Sequence, residues 1–206
     1  MLEPLDLDYS VLNPVIKVIL PASGFFVKTE KRLISLYIPL SNSLLPGFQR
    51  ACLEAHNDYR FFHRSPPLTW SAELTRDAQV WANYLASTNL FEHDPTTRPK
   101  GQGENLYYMA PPKRLCDLGE TGQDCLSCKE IVQAWYDEQL DYDYVTGKAK
   151  VKFAPILHFT QIVWKASTKL GMATAVANNR LVAVARYEPA GNIGGQFQAN
   201  VLDPDL

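Results

Sequence analysis

Four side chains have the chemistry needed to bind a metal ion or to exchange protons: His93, Glu104, Glu138 and His158. Neutral imidazole ligates divalent metals well, and its second ring nitrogen is usually fixed by a hydrogen bond. Two histidines and two acids can hold a divalent cation together with water, or form an acid–base pair, if folding brings them together. Their spacing alone does not distinguish such a site from four scattered core and loop residues.

The first two of these residues lie at the ends of predicted elements. Apolar residues recur at helical spacing over residues 71–87, with Ser71 as the N-cap, which predicts a helix. His93 follows at the exit of this helix. Glu104 opens a β-prone run over residues 104–109, so a short strand is expected to carry it.

The other two residues are predicted on helices. Ser127-Cys128-Lys129-Glu130 has the pattern of a capping box, and Glu138 would share an apolar face of that helix with Trp135. A carboxylate on a buried stripe is costly unless a proton, a cation or several donors meet it. His158 opens a short amphipathic helix, where it could be a ligand or a core histidine with a hydrogen-bond partner.

The rest of the chain predicts one domain preceded by an extension. The sequence has 206 residues, of which 46% are hydrophobic and 20% charged, as expected for a globular protein. A formal net charge of -2 gives no reason to expect nucleic-acid binding. Five prolines in residues 1–46 argue against a long helix there, so we expect a partly extended or flexible segment before a domain at 47–206.

Within that domain, a further helix and a β-hairpin are predicted. A first helix begins near Phe48 and ends before Ser65-Pro66-Pro67, because a residue that precedes proline is pushed out of the α region. Two β-prone runs meet at Asn178-Asn179, residues that tolerate the positive φ of a tight hairpin turn.

Targeting motifs in the sequence do not decide in which cellular compartment the protein lies. The acidic start of the chain lacks both the basic region of a secretory signal and a myristoylation glycine. Lys31-Arg32 precedes an apolar run over residues 33–45, which has the outline of a displaced signal sequence or of a strand packing on the domain. That run is too short and too polar to span a bilayer.

The four cysteines do not decide between an oxidising and a reducing compartment either. Cys116, Cys125 and Cys128 are crowded together, and residues 110–126 are predicted to form a surface insertion. A local bridge from Cys116 to Cys125 or Cys128 fits this spacing. The single CxxC motif has neither a second CxxC nor a βαβ pattern around it, so neither a zinc knuckle nor a thioredoxin-like motif is expected.

Five short motifs occur in an order that resembles the CAP superfamily, named for cysteine-rich secretory proteins, antigen 5 and pathogenesis-related proteins. The resemblance covers about residues 48–203, and five ordered motifs are far more specific than any single one. Leu85-Ala86-Ser87-Thr88 and Ala185-Arg186-Tyr187 look most like the Golgi-associated plant pathogenesis-related branch. The motifs are His56-Asn57-x-x-Arg60, Gly103-Glu104-Asn105-Leu106, Trp135-Tyr136-x-Glu138, His158-Phe159-Thr160-Gln161-x-Val163-Trp164 and Tyr187-x-Pro189-x-Gly191-Asn192.

The resemblance implies an α+β fold, a three-layer α-β-α sandwich with a central antiparallel sheet. It also implies a cleft in which His93 and His158 bind zinc or another divalent ion, with Glu104 and Glu138 acting through water or by orienting the imidazoles. Such a site should be weak and exchangeable, and should lose metal as the histidines protonate. His56 belongs to the first-helix motif and is expected to be structural.

The resemblance further implies a non-enzymatic binding protein whose partners are a sterol or fatty acid, a membrane surface, or another protein, including a second copy of the chain. A metal-assisted hydrolase of peptides or esters, with Glu104 or Glu138 assisting a metal-bound water, is the alternative. The chain lacks an HExxH motif and a convincing serine or cysteine nucleophile. The family majority is extracellular, whereas the branch that this chain resembles is peripheral to the Golgi or cytosolic.

Overall fold

The computed structural model describes residues 45–88, 90–116, 120 and 124–205, together with the backbone of three short strands within residues 17–36. The chain divides into two compact units, Met1–Leu44 and Leu45–Leu206. In the first unit, strands β1 (Lys17–Ile19), β2 (Phe25–Thr29) and β3 (Arg32–Leu36) form an antiparallel sheet in that order. Strand β3 covers the beginning of the predicted 33–45 apolar run, and residues 37–44 of that run lie outside the described residues.

The second unit is built on a four-stranded sheet. Its strands are β4 (Thr69–Trp70), β5 (Gly103–Met109), β10 (Lys169–Ala177) and β11 (Arg180–Glu188), in the order β4-β10-β11-β5. Strands β10 and β11 form the predicted hairpin, in which Asn178 and Asn179 have φ values of 50° and 57°. Strand β5 continues the antiparallel pairing, but β4 pairs with β10 in parallel. The expected antiparallel sheet is thus formed by β10, β11 and β5, and the two-residue strand β4 adds a parallel pair at its edge.

Helices cover both faces of this sheet. They are α1 (Gly47–Phe62), α2 (Ala72–Thr88), α3 (Cys128–Tyr136), a 3₁₀ helix (Asp137–Asp141), α4 (Leu157–Val163) and α5 (Phe197–Asn200). Helix α2 packs on one face, against residues such as Val182 and Val184 of β11. Helices α1, α3 and α4 pack on the other face, which Ala183 and Ala185 line. This period-two alternation along one buried strand separates two cores.

The remaining strands are short pairs. Strands β6 (Arg114–Leu115) and β7 (Cys125–Leu126) pair in parallel within the predicted insertion. Strands β8 (Tyr142–Asp143) and β9 (Lys148–Ala149) form an antiparallel hairpin before α4. None of the helices in the described part of the chain is long and apolar enough to cross a membrane.

Local sequence signals set several helix ends as predicted. The Ser71 hydroxyl accepts a hydrogen bond from the Leu74 backbone N–H at 3.3 Å, which satisfies an otherwise unpaired donor in the first turn of α2. Ser127 and Glu130 form both halves of the capping box at α3. Helix α1 ends at Phe62, ahead of the Pro66-Pro67 pair.

The sequence left the pairing of the four cysteines open, and the structure joins them in two disulfides. Cys116 bonds to Cys125 across the β6–β7 pair, which is one of the two predicted local bridges. Cys52 bonds to Cys128 over a sequence separation of 76 residues, joining α1 to the start of α3. The two cysteines of the CxxC motif thus belong to different bridges, because tertiary packing places Cys128 against α1.

Candidate functional site

The first predicted pair, His93 and Glu104, is in contact. His93 lies in the segment that follows α2, and Glu104 is the second residue of β5. His93 Nδ1 lies 2.6 Å from Glu104 Oε1. The histidine side chain is 64% exposed and the glutamate 3%, so the imidazole faces solvent above a buried carboxylate. The Asp94 backbone N–H also donates to Glu104 Oε1, at 3.1 Å, and fixes the segment that carries His93.

A buried arginine holds the carboxylate of this pair. Arg186 of β11 lies opposite Glu104 of β5 in the sheet register, and its side chain is fully buried. Its Nη2 donates to Asp94 Oδ2 at 2.6 Å and makes an ion-pair contact with Glu104 Oε2 at 3.1 Å. Burial alone would raise the pKa of Asp94, but hydrogen bonds from Thr96 and Arg186 hold that pKa below its usual value.

The second predicted pair, Glu138 and His158, is also in contact. His158 Nδ1 lies 2.6 Å from Glu138 Oε1, and the two side chains are 32% and 12% exposed. Glu138 Oε2 accepts hydrogen bonds from the backbone N–H groups of His158 at 2.9 Å and Phe159 at 3.3 Å. These N–H groups open α4 and would otherwise lack partners.

The expected helical position of Glu138 was wrong. Helix α3 ends at Tyr136, and Glu138 lies in the following 3₁₀ helix. Glu138 therefore does not continue the buried stripe on which Trp135 lies. From the 3₁₀ helix, the Glu138 carboxylate meets the start of α4, which supplies the donors that the carboxylate needs.

Hydrogen bonds join the second pair to the strand that carries Glu104. Asn105 Nδ2 donates to the His158 carbonyl at 3.1 Å and to the Tyr187 hydroxyl at 3.2 Å. The indole of Trp135 donates to the Leu106 carbonyl at 2.9 Å and stacks against the His158 ring. Residues 104–106 are therefore tied to both histidine–glutamate pairs.

His56 lies beneath this network and is structural, as expected. It is fully buried, with Nδ1 2.7 Å from the Cys52 carbonyl and Nε2 2.8 Å from the Tyr187 hydroxyl. This arrangement fits a neutral ring that donates through Nδ1 and accepts through Nε2. Burial, with a smaller contribution from Arg60, lowers the pKa of His56 to about 4.

Sequence reasoning missed the residues that support the pairs. The sequence prediction included Arg186 only in a motif shared with the family and gave it no role in the site. A charged residue inside the apolar run of a strand nevertheless indicates a buried partner. Gly103 and Gln161 form another unpredicted contact, because a Cβ at Gly103 would lie 2.0 Å from Gln161 Oε1. Gln161 also accepts a hydrogen bond from the Gly191 backbone at 2.8 Å. Only the folded arrangement shows why glycine is required beside Glu104.

Both imidazoles can serve as metal ligands. A neutral imidazole whose Nδ1–H donates a hydrogen bond to the carboxylate has its Nε2 lone pair available for a cation. Among the described residues, three possible ligand atoms lie within 4.8 Å of one another only at Cys116, Glu120 and Cys125. Both sulfurs of that group are in a disulfide, so it lacks the thiolates that bind metals. Neither histidine–glutamate pair has a third such ligand atom within that distance among the described residues.

Comparison with known sequences identifies relatives over most of the chain. Residues 53–187 match the CAP family profile, described as the cysteine-rich secretory protein family. The chain is 35% identical over 173 residues to human Golgi-associated plant pathogenesis-related protein 1, covering 80% of this chain and 99% of the relative. It is 34% identical over 156 residues to human cysteine-rich secretory protein 2, covering 70% of this chain and 57% of that protein.

Solved structures share the fold at lower identity. Na-ASP-1 has a TM-score of 0.58 and 20% identity, over 74% of this chain and 41% of its own. NaASP2, solved with Zn2+, has the same TM-score and identity over 76% of this chain and 86% of its own. The expected α-β-α sandwich is thereby confirmed. From the family match, the relatives and the fold together, the chain belongs to the CAP family, the cysteine-rich secretory protein family.

Proposed function

We propose that this protein is a non-enzymatic CAP-domain binding protein whose cleft holds a weakly bound divalent cation through His93 and His158. One observation carries the proposal: each imidazole Nδ1 lies 2.6 Å from a carboxylate oxygen. A carboxylate that accepts the Nδ1 hydrogen fixes the tautomer and ring orientation, and makes Nε2 a better ligand. The cation supplies positive charge to which an anionic or polar group of a partner can bind.

The surroundings of the two pairs determine how such a site would behave. His93 is mostly exposed and His158 partly exposed, so water has access to both rings. Two imidazoles and water bind zinc less tightly than the four-ligand structural sites. Imidazole must be neutral to bind metal, so affinity should fall as pH decreases. The disulfide between α1 and α3 and the two cores hold the fold without a metal.

The same contacts favour binding over hydrolysis. Glu104 is shared among His93, the Asp94 backbone and Arg186, and Glu138 among His158 and the start of α4. Carboxylates held in this way orient their histidines, whereas a general base needs access to the proton that it abstracts. A sterol, a fatty acid, a membrane surface, another protein or a second copy of the chain remains the proposed partner. Turnover of peptides or esters that Glu104→Gln abolishes would instead support the hydrolase.

Zinc titration calorimetry tests the metal site, and NaASP2 makes Zn²⁺ a reasonable probe. Wild-type protein should show one weak site, and His93→Ala/His158→Ala should lose it. Glu104→Gln or Glu138→Gln should weaken zinc binding by about 10- to 100-fold, because each replaces the charged carboxylate that orients a ligand with a neutral amide.

His63→Gln is the matched control. His63 is a buried histidine whose Nδ1 lies 2.6 Å from the Leu202 carbonyl and whose Nε2 lies 2.9 Å from the Tyr136 hydroxyl. A folded His63→Gln protein should bind zinc like wild type. Unchanged zinc binding in the His93→Ala/His158→Ala protein would remove the assignment of these residues.

A further inference from the structure

The insertion over residues 110–126 contains a group of metal-ligating side chains that is separate from the cleft. One ligand atom of each of Cys116, Glu120 and Cys125 lies within 4.8 Å of the other two. The group includes neither cleft histidine, and it does not use the CxxC pair, because Cys128 is bonded to Cys52. In the structure its two sulfurs form a disulfide, so the group can bind metal only after that bond is broken.

Backbone pairing holds the two cysteines together independently of their disulfide. Strands β6 and β7 pair in parallel, with Leu115 opposite Leu126, and the Cys116 backbone N–H donates to the Leu126 carbonyl at 3.0 Å. Reduction would therefore leave both thiols in place on neighbouring strands. A tetrahedral zinc ion with Zn–S bonds of about 2.3 Å separates two sulfurs by about 3.8 Å, which rotation of the side chains can provide.

The third ligand is fixed beside the sulfurs by an arginine. Arg114 donates to both carboxylate oxygens of Glu120, at 2.7 and 3.1 Å, and such a two-point contact orients the carboxylate. An ionised carboxylate has about four lone-pair sites, so the same group can accept from an arginine and bind a cation. Residues 116–125 contain two further acids, Asp117 and Asp124, and no Lys, Arg or His. The local charge thus favours a divalent cation.

The two disulfides differ in how a reductant can reach them. Cys52 and Cys128 are 0% and 1% exposed and belong to the larger core. Cys116 and Cys125 belong to neither core, and Asp124, next to Cys125, is exposed. Thiol–disulfide exchange requires a thiolate to reach a sulfur, and opening a pair of two-residue strands costs less than opening a core. The bridge in the insertion should therefore be reduced first.

We propose that the insertion is a redox-controlled metal site, in which Cys116, Cys125 and Glu120 bind a zinc ion once a dithiol has reduced their disulfide. The dithiol supplies two electrons and two protons, so the S–S bond breaks, two thiols form and the dithiol becomes a disulfide. Zinc then bonds to both sulfurs, and the two thiol protons pass to water. Two thiolates, one carboxylate and a water molecule complete a tetrahedral site. The metal would replace the disulfide as the link between β6 and β7.

Cobalt(II) absorption of the full chain tests the proposal, because cobalt occupies tetrahedral zinc sites and gives a sulfur-to-metal charge-transfer band only when a thiolate binds it. Wild-type protein is reduced with dithiothreitol, separated from the reductant without oxygen and titrated with cobalt(II). One equivalent should produce the band, and zinc should abolish it. Unreduced protein should give no band. Alkylation of the reduced protein before metal is added should label Cys116 and Cys125, and leave Cys52 and Cys128 unlabelled.

Variants of the ligands test the assignment of each one. Glu120→Gln should weaken cobalt binding by at least about tenfold, because loss of a direct ligand should cost no less than loss of a residue that only orients a ligand. Glu54→Gln is the matched control, since Glu54 is a carboxylate of α1 whose side chain is 62% exposed. It should bind cobalt like wild type. Cys116→Ser/Cys125→Ser should give no band before or after reduction.

The cleft and the insertion give different results in this experiment. His93→Ala/His158→Ala should keep the charge-transfer band, because imidazoles do not produce it, so failure of the cleft site leaves the insertion site intact. Absence of the band from reduced wild-type protein would overturn the proposal, as would equal cobalt binding by Glu120→Gln and wild type. Alkylation confined to Cys52 and Cys128 would also overturn it.

Discussion

The two histidine–glutamate pairs have the same internal distance but different support. In both, the imidazole Nδ1 lies 2.6 Å from a carboxylate oxygen. Glu104 is almost completely buried and is held by the buried guanidinium of Arg186. Glu138 is partly buried and is held by backbone N–H groups at the start of α4. Similar local geometry is therefore produced once by a buried charge network and once by the end of a helix.

This difference has an energetic consequence. A buried charge that loses its partner pays a desolvation cost that nothing offsets. A carboxylate that accepts backbone N–H groups can be replaced by an amide oxygen at much smaller cost. We therefore expect the fold to depend strongly on the support of the His93 pair and weakly on that of the His158 pair.

Replacement of Arg186 should have the largest effect. Arg186→Met leaves Asp94 and Glu104 facing each other without the guanidinium, and should lower the free energy of unfolding by about 3–5 kcal/mol. Urea denaturation measures this change. Lys169→Met removes a solvent-exposed ion pair with Glu188 and should cost less than about 1 kcal/mol. Comparable losses in the two variants would show that burial of the Arg186 network is not what matters.

The stability of the fold should depend on pH through His56, which Tyr187 and Asn105 connect to the backbone of His158 by hydrogen bonds. The folded pKa of His56 is about 4, below its ordinary value of 6.5. Stability from the neutral ring is complete above about pH 6.5 and is lost as pH falls toward 4, because only the unfolded chain takes up the proton. The loss should reach roughly 3 kcal/mol.

Urea denaturation at about pH 7 and about pH 4.5 measures this loss, with His56→Gln as the reference protein. Other groups with lowered pKa values, including Asp94, titrate in both proteins, so the difference between the two pH dependences isolates His56. An identical pH dependence in wild type and His56→Gln would contradict the assignment.

The smallest effect should come from amide substitution of the two glutamates, which compares the pairs directly. Glu104→Gln weakens the contact with Arg186 and should cost about 1–3 kcal/mol. Glu138→Gln can still accept from the start of α4 and should cost less than about 1 kcal/mol. Thermal and urea unfolding of the two variants measure the difference. A larger cost for Glu138→Gln would reverse the proposed ranking.

Local sequence information was sufficient for many of the elements. Ser71 and Ser127 mark helix starts because their hydroxyls satisfy first-turn N–H groups, and Asn178-Asn179 marks a hairpin because both residues tolerate positive φ. These effects act over a few residues. They were predicted correctly because the interacting groups are neighbours in the chain.

The sequence by itself therefore determined the helix caps, the hairpin and the identity of the four candidate residues. Only the tertiary structure decided that Glu138 leaves α3, that Cys52 bonds to Cys128, and that Arg186 supports Glu104. Each of these depends on groups far apart in sequence, whose pairing is set by which face of the sheet a helix covers. A buried charge or cysteine indicates that a partner is needed, but packing selects the partner.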